Sequence, residues 1–502
     1  MSTTAAKTAA AKTAAAKKAA AAKKAAAAKT AAAKKAAAAK TAATKKAAAA
    51  KAAAANRNKV KNPYMSLYKQ ALEEGKFERV ESLLRPYLAE EPLDAPCLTL
   101  LGTCRLRQND PAEAAMLFGE AEAIAGYDRT RRRNWAEALD GAGQGDSARA
   151  LLLAAIDREP AAWQLWWDYA ALVEKPEHHD ALAIRWRNLL ATKKLSDAIE
   201  RAVAKSATLV DDFELAYSIY RRLIATQTQT LTAQVAKNGI DAPIAKVIKA
   251  KSNDLAGGKG ETCLKDFKSA LEAGNVPFFL MAGTVLGYIR DGQLLVGDKD
   301  VDCGVFEKDW DRPAIETLLR DSGNFQIKRV DDHADRIRAI HRNGVWIDVF
   351  PYFKEGDRQW HAGTVARWWH PEFELKPYEV DGTEFMIPAE TEKYLEWNYG
   401  TEWRVPYSLF DVYTDAPNVE VVRHDFLRYS RWRKMFEGLK VRDWEKVLKY
   451  LDKDAEVLAQ NPWLERLRII ANRQRAIDIE AEQALAEKEQ AKAAAAAANG
   501  AQ

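Results

Sequence analysis

Residues 296–306 read Val-Gly-Asp-Lys-Asp-Val-Asp-Cys-Gly-Val-Phe, and the fold reading starts there. Period-two alternation predicts a strand that puts Asp300 and Asp302 on one face. Val301, Cys303 and Val305 then point the other way, into apolar packing. Two carboxylates on one face at a strand end repel unless a cation joins them, and hard oxygen ligands suit Mg²⁺ or Mn²⁺. Taken alone, the motif also reads as a solvated acidic turn; in the metal reading Asp298 serves only the outer shell. A second stretch, Gly344-Val345-Trp346-Ile347-Asp348-Val349-Phe350, reads as a buried strand with Asp348 as its only charge. A lone Asp among such neighbours is costly to bury unless it meets a cation or caps a neighbouring element. Two Asp on one strand and a third on its neighbour would form a metal clamp for phosphoryl chemistry.

Upstream, a helical pattern over Glu261–Ala273 ends at Gly274, and Phe278–Met281 reads as a strand. Gly283-Thr284-Val285-Leu286-Gly287-Tyr288-Ile289-Arg290 follows it directly. A strand that feeds a Gly-Thr turn and then a helix aims backbone N–H groups at whatever lies above, which is a phosphate-binding arrangement. Gly-x-x-x-Gly also serves plain helix packing.

These motifs together resemble the LicD/fukutin family. Phe278-Phe279-Leu280 precedes GTVLGYIR, then come DKDVDCGV, VWIDVFPYF and Met386-Ile387-Pro388, then Tyr394-Leu395, Tyr399-Gly400, Trp403 and Pro406. The resemblance covers about 262–410. It implies a nucleotidyltransferase fold of the DNA polymerase β kind and an enzyme that moves phosphocholine or a phospho-alditol, such as ribitol phosphate, from a CDP-activated donor to a glycan. It implies Asp300 and Asp302 as the metal-binding pair for Mg²⁺ or Mn²⁺ and Asp348 as the third catalytic acidic position, base or ligand. It places Gly283, Thr284 and Gly287 in the donor-phosphate turn and Arg290 as the matching basic residue. Family members often carry a Trp and a run of Asp before the metal pair, where this chain has Gly297 and Lys299.

Toward the N-terminus, Pro92 and Pro160 are two 34-residue periods apart, the period of tetratricopeptide repeats. With Ala95 as a first position, Gly102, Ala114, Phe118 and Ala121 fall where small, small, aromatic and small residues belong. Ala136, Ala148, Leu152 and Ala155 follow one period later, and Gly75 and Leu84 come one period earlier. A looser unit opens near Trp163, with Trp166, Tyr169 and Ala170. Trp163, Trp166, Trp167, Cys97 and Cys104 read as core, and His178 and His179 as a polar turn facing water. Such an array either binds a protein partner or packs on its own catalytic domain.

Residues 1–55 hold thirteen Lys and no Asp, Glu or Arg, so the other 447 residues carry −8 against the whole chain's +5. Three Lys registers repeat every 11 residues, which surrounds a helical rod with charge. This tail resembles histone H1-type tails. It reads either as a polyanion binder, for DNA or an acidic glycan, or as a solvated tail. Four Cys exclude a disulfide-built secreted scaffold, and no apolar run reaches the roughly 18 residues of a membrane span. A cytoplasmic setting follows as the expectation.

The expected fold class is α+β: a polymerase β-like catalytic domain preceded by an all-α helical-repeat domain. The expected divisions are a Lys/Ala tail (1–58), repeats (62–250), the catalytic domain (261–410), a helical extension over the catalytic core (411–475) and a charged, Ala-rich tail (476–502). Two other functions stay open: a nucleotidyltransferase that uses an NTP on a small acceptor, and a non-enzymatic repeat scaffold.

Overall fold

The sheet that carries the acidic motifs has strand order β1 (Phe279–Leu280), β2 (Asp300–Phe306), β5 (Trp346–Glu355), β6 (Arg358–Ala362), β7 (Ala366–Pro371) and β10 (Val419–Val421). The hairpin of β3 (Phe325–Lys328) and β4 (Ile337–His341) joins it through β4 on β5, and β8 (Leu375–Val380) pairs with β9 (Thr383–Pro388) separately. Among the described residues, β2 and β5 run parallel and the other pairs are antiparallel. This computed structural model describes residues 65–66, 70, 76–191, 195–247, 255, 257–328, 335–453 and 461–499. The Lys/Ala repeat of residues 1–55, with its polyanion reading, lies outside them.

The array precedes the sheet as α1 (Phe77–Glu90), α2 (Ala95–Arg107), α3 (Pro111–Ala125), α4 (Arg129–Gly141), α5 (Gly145–Arg158), α6 (Trp163–Ala170), α7 (Pro176–Leu190), α8 (Asp197–Thr208) and α9 (Phe213–Asn238). The starts of α2, α4, α6 and α8 fall 34 residues apart. Asp94, Asp110, Asp128 and Asp212 each accept a backbone N–H of the first turn they precede, which satisfies donors that have no intrahelical partner. Gly102 is required by packing: a Cβ there would stand 3.0 Å from the Phe118 ring. Phe118, Ala121, Ala148, Leu152 and Ala155 are fully buried.

Two sequence expectations fail within the array. Pro176 opens α7 at its first turn, where proline's missing N–H costs nothing, so the segment is a helix start. His179 is consequently buried, with Nδ1 2.9 Å from Ser206 Oγ. Of the three tryptophans, Trp166 is core and bonds the Pro160 carbonyl, whereas Trp163 is 46% exposed.

In the sheet region α10 (Lys259–Glu272) and α12 (Arg312–Asp321) cover one face. Cys263, Phe267, Ile315 and Leu319 share a core with Val301, Cys303, Val305, Ile347 and Val349. The opposite face of β2 and β5 is left to the carboxylates. Gly304 permits β1 to close on β2, because a Cβ there would lie 2.4 Å from the Phe279 ring.

The C-terminal helices α14 (His424–Val441), α15 (Trp444–Asp452) and α16 (Pro462–Asn499) correct another expectation. Apart from Leu427, which packs on Ala366 and Trp368 of β7, their buried side chains go to the array and not to the sheet. Phe436, Leu439, Trp444 and Leu467 belong to the array's own core, with Tyr220 and Ile224 of α9. Tyr220 meets the rings of Tyr429 and Phe436 edge-on at 5.6 and 5.9 Å. The chain thus leaves the array, builds the sheet and returns to complete the array. Ala71–Gln502 forms one compact unit.

Candidate active site

The parallel register of β2 and β5 sets Asp302 opposite Asp348, with Asp300 opposite Trp346. Period-two alternation puts all three carboxylates on the face that the helices leave uncovered. The short β1 leads into α11 (Ala282–Asp291), whose first turn holds Gly283 and Thr284. Two bonds fix this turn to β2. Met281 N–H donates to the Asp302 carbonyl at 3.2 Å, and Asp302 N–H donates to Thr284 Oγ1 at 2.8 Å. Ala282 is held at φ +45°, a conformation disfavoured for a residue with a Cβ. Its N–H donates to the Tyr394 hydroxyl of α13 (Thr391–Tyr399) at 3.1 Å. Strained backbone of this kind persists where the surroundings over-determine it.

Gly283 lies over the acidic group. A Cβ on it would stand 3.1 Å from Asp298 Oδ2 and 3.5 Å from Asp302 Oδ2. The missing side chain leaves a cradle between two carboxylate oxygens and a helix N-terminus. Burial and then the neighbouring Asp300 push the Asp298 carboxyl up to about 6. Burial first, then Asp300, Asp348 and Asp298, drive the Asp302 carboxyl well above the usual range. Negative charge is crowded here, and a divalent cation would relieve it. Hard oxygen donors around a cradle fit Mg²⁺ or Mn²⁺, with Asp298, Asp300 and Asp302 as the residues able to hold it. Among the described residues, however, no three His, Cys, Asp or Glu side chains converge into a ready-made metal cage.

Asp348 is placed differently from its two partners. It is 3% exposed and faces arginines. Arg336 Nη1 donates to its Oδ2 at 2.8 Å, and Arg338 Nε lies 3.4 Å from its Oδ1. Arg338 Nη2 also donates to Asp300 Oδ2 at 3.3 Å. Behind the site, the Tyr352 and Tyr394 hydroxyls are 3.2 Å apart, and burial pushes the Tyr394 phenol up to about 12.

The expected donor-turn residues divide. Gly283 is at the cradle. Thr284 is 2% exposed and its hydroxyl is committed to the Asp302 backbone, so it positions β2. Gly287 makes room for backbone: a Cβ there would be 2.6 Å from the Gln293 carbonyl oxygen. Arg290 grips Asp291 through two bonds of 2.8 and 3.0 Å. Sequence reasoning missed Arg336 and Arg338. Their signal was the alternation Arg336-Ile337-Arg338-Ala339-Ile340, a half-buried strand with two cations on one face.

Residues 275–390 match the family described as LicD/FKTN/FKRP, nucleotidyltransferase domain. The segment contains the carboxylates, the α11 turn and both arginines. Among curated relatives, the ribitol-5-phosphate transferases FKTN of Mus musculus and Homo sapiens are each 32% identical over 154 residues. The match covers 29% of this chain and 33% of each relative, so the chain spans about a third of the length of the curated relatives it matches. Two solved structures also align. One is a tetratricopeptide repeat protein from Parabacteroides merdae (15% identity, TM-score 0.23, covering 32% of this chain and 62% of that one). The other is Pseudomonas aeruginosa pilF (18% identity, TM-score 0.27, covering 48% and 96%).

Proposed function

We propose that the chain is a divalent-ion-dependent transferase, built on a nucleotidyltransferase fold, that moves a phospho-alcohol from a CDP-linked donor to a glycan hydroxyl. Ribitol phosphate is the first donor group to test, because the curated relatives are ribitol-5-phosphate transferases; phosphocholine is the second. The observation that carries the reading is the cradle under Gly283, where a helix N-terminus meets the oxygens of Asp298 and Asp302.

The transfer forms a bond between the acceptor oxygen and the phosphorus next to the alcohol. It breaks the bond from that phosphorus to the diphosphate bridging oxygen, and CMP leaves with that oxygen. The proton of the acceptor hydroxyl passes to a carboxylate of the cluster and then to water. A bound divalent ion would neutralise charge on the phosphates and the leaving oxygen. This chain's residues do the rest. Asp298, Asp300 and Asp302 would hold the cation, the start of α11 would offer backbone N–H groups to the phosphates, and the Tyr394 hydroxyl holds that turn in place by accepting the Ala282 N–H. The glycan acceptor and a cytoplasmic setting belong to the same proposal. The four cysteines are free and buried, and no helix among the described residues is long and apolar enough to cross a membrane. A protein partner on the array and a polyanion on residues 1–55 are part of it as well.

The test is CMP release. The protein is incubated with Mn²⁺ or Mg²⁺, CDP-ribitol or CDP-choline, and candidate glycans. CMP that appears only with metal and acceptor together is expected. Pyrophosphate release from an NTP, with every CDP-alcohol inert, would assign the site to nucleotidyl transfer instead.

A further inference from the structure

The two arginines that sequence reasoning missed are built into an arch. Alternation along β5 puts Trp346, Asp348 and Phe350 on one face. The Arg338 guanidinium lies over the Trp346 ring at 4.8 Å, and that of Arg336 over Phe350 at 5.5 Å. Both reach inward to Asp348, which stands directly opposite Arg338 in the β4–β5 register. Each guanidinium is therefore fixed by an aromatic on one side and a carboxylate on the other. That arrangement preorganises planar donors and lowers the entropy lost when they bind a ligand.

We propose that Arg338 is an anion-binding residue that takes a phosphate oxygen of a diphosphate ligand, and that Asp348 is a positioning residue which, with Arg336, holds Arg338 in place. The proposal rests on the transferase reading of the same site and reassigns Asp348 within it. Three observations carry it. Asp348 is nearly inaccessible, and two guanidiniums stand where a cation bound to it would have to approach. Arg338 bridges the buried Asp348 and the more open Asp300, so it sits at the margin of the carboxylate group, where a phosphate bound to the cation would lie. The two contacts also differ in tightness. Arg336 holds Asp348 at 2.8 Å, whereas Arg338 touches Asp300 at 3.3 Å and its side chain is 33% exposed. A phosphate oxygen can replace the long Arg338–Asp300 contact while the shorter Arg336–Asp348 bond stays in place. Arginine's fork suits this exchange, since it fits carboxylate and phosphate oxygens alike.

The experiment uses the full chain, Mn²⁺ alone, and then pyrophosphate in the presence of Mn²⁺, with binding read by calorimetry and folding by thermal unfolding. Asp302→Asn is expected to weaken Mn²⁺ about tenfold or more, as loss of a direct ligand should. Asp348→Asn should leave the affinity for Mn²⁺ alone within about threefold while weakening pyrophosphate about tenfold. Arg338→Met should weaken pyrophosphate about tenfold or more without weakening Mn²⁺, and Arg338→Lys should restore only part of the loss, because a point charge lacks the fork. If Asp348→Asn does not fold, Arg336→Gln makes the same test, with pyrophosphate weakened and Mn²⁺ unchanged. Mn²⁺ binding lost as fully in Asp348→Asn as in Asp302→Asn would make Asp348 a metal ligand and overturn the proposal. Unchanged pyrophosphate affinity in Arg338→Met would overturn it as well, with the transferase reading intact. A wild-type protein that binds neither probe would overturn both.

Discussion

The array and the sheet treat buried charge in opposite ways. In the array, Arg131 and Arg132 close on Glu122 and Arg149 reaches Asp146 and Glu174, so cations meet carboxylates as they are buried. At the sheet face, Asp298, Asp300, Asp302 and Asp348 repel one another across one strand pair, and among the described residues Arg336 and Arg338 form ion pairs with Asp348 and Asp300. The first pattern satisfies polar groups for the sake of packing. The second tolerates electrostatic repulsion at one place, and carboxyls pushed upward together in this way mark functional sites more than scaffolds. The difference separates scaffold from chemistry without reference to any relative.

The sharpest way to break this comparison is to cut the two regions apart. Residues 261–502 alone would expose Tyr429, Phe436, Leu439, Trp444 and Leu467, which now pack with the array. We expect that fragment to be insoluble or to lack near-UV circular dichroism. A fragment of residues 257–423, which stops before α14, should be the more soluble of the two. Within the intact chain, Phe436→Ala should cost about 3–5 kcal/mol of stability, because the ring is fully buried. If residues 261–502 fold well alone, the shared core is not needed and the two regions are independent.

Asp302→Ala should act the other way round. It removes a carboxylate that burial and its neighbours destabilise, so folding should be unharmed while turnover falls about 10³-fold, the order seen when a principal electrostatic contribution is lost. Turnover within threefold of wild type, read by CMP release, would remove Asp302 from the chemistry.

Asp298→Asn sharpens the electrostatic half. The Asp298 carboxyl sits near pH 6 in the folded chain against 3.8 for the free side chain. A raised folded value means that the folded state binds the proton more tightly. The stabilising contribution is complete below about pH 3.8 and is lost as pH rises through about 6. Above pH 7, without divalent ions, the variant should therefore be more stable than wild type by up to about 3 kcal/mol, and this gain should vanish near pH 3.5. Melting temperatures in EDTA at both pH values measure it. An Asn variant that is less stable at pH 7.5 would show that the carboxylates are not in conflict.

The two regions also differ in what their sequences disclose. The array was legible because one spacing repeats: helix starts at Ala95, Arg129, Trp163 and Asp197, with Phe118 and its small neighbours in the packing positions. The acidic strands were legible because alternation forces Asp300 and Asp302 onto one face and the lone Asp348 demanded a partner. That partner was not legible. The β3–β4 hairpin delivers Arg338 from within β4 and Arg336 from just before it, and the neighbour of that strand is fixed only by sheet order. The same holds for α14–α16, whose apolar faces announce burial without saying against what. His179 failed for a local reason, since Pro176 stands at a helix start and carries the two histidines onto the first turn of α7 instead of into a polar turn.

The smallest effect expected concerns the seam between the regions. The β3–β4 hairpin that bears the arginines is tied to the array. Lys328 pairs with Glu137 of α4, and Arg342 lies 3.4 Å from Glu78 and over the Phe77 ring of α1. These pairs are partly exposed, so each is worth about 1 kcal/mol or less. Glu137→Gln should lower the melting temperature by only about 2–4 °C. Turnover and pyrophosphate affinity should stay within about twofold if the array is a scaffold, since the Arg336–Asp348 bond fixes the hairpin from the other side. Kinetics on this variant, beside its melting curve, decide the matter. A tenfold loss of turnover at an unchanged melting temperature would mean that the array sets the position of the arginines. The division between scaffold and chemistry would then fail at the hairpin that joins them.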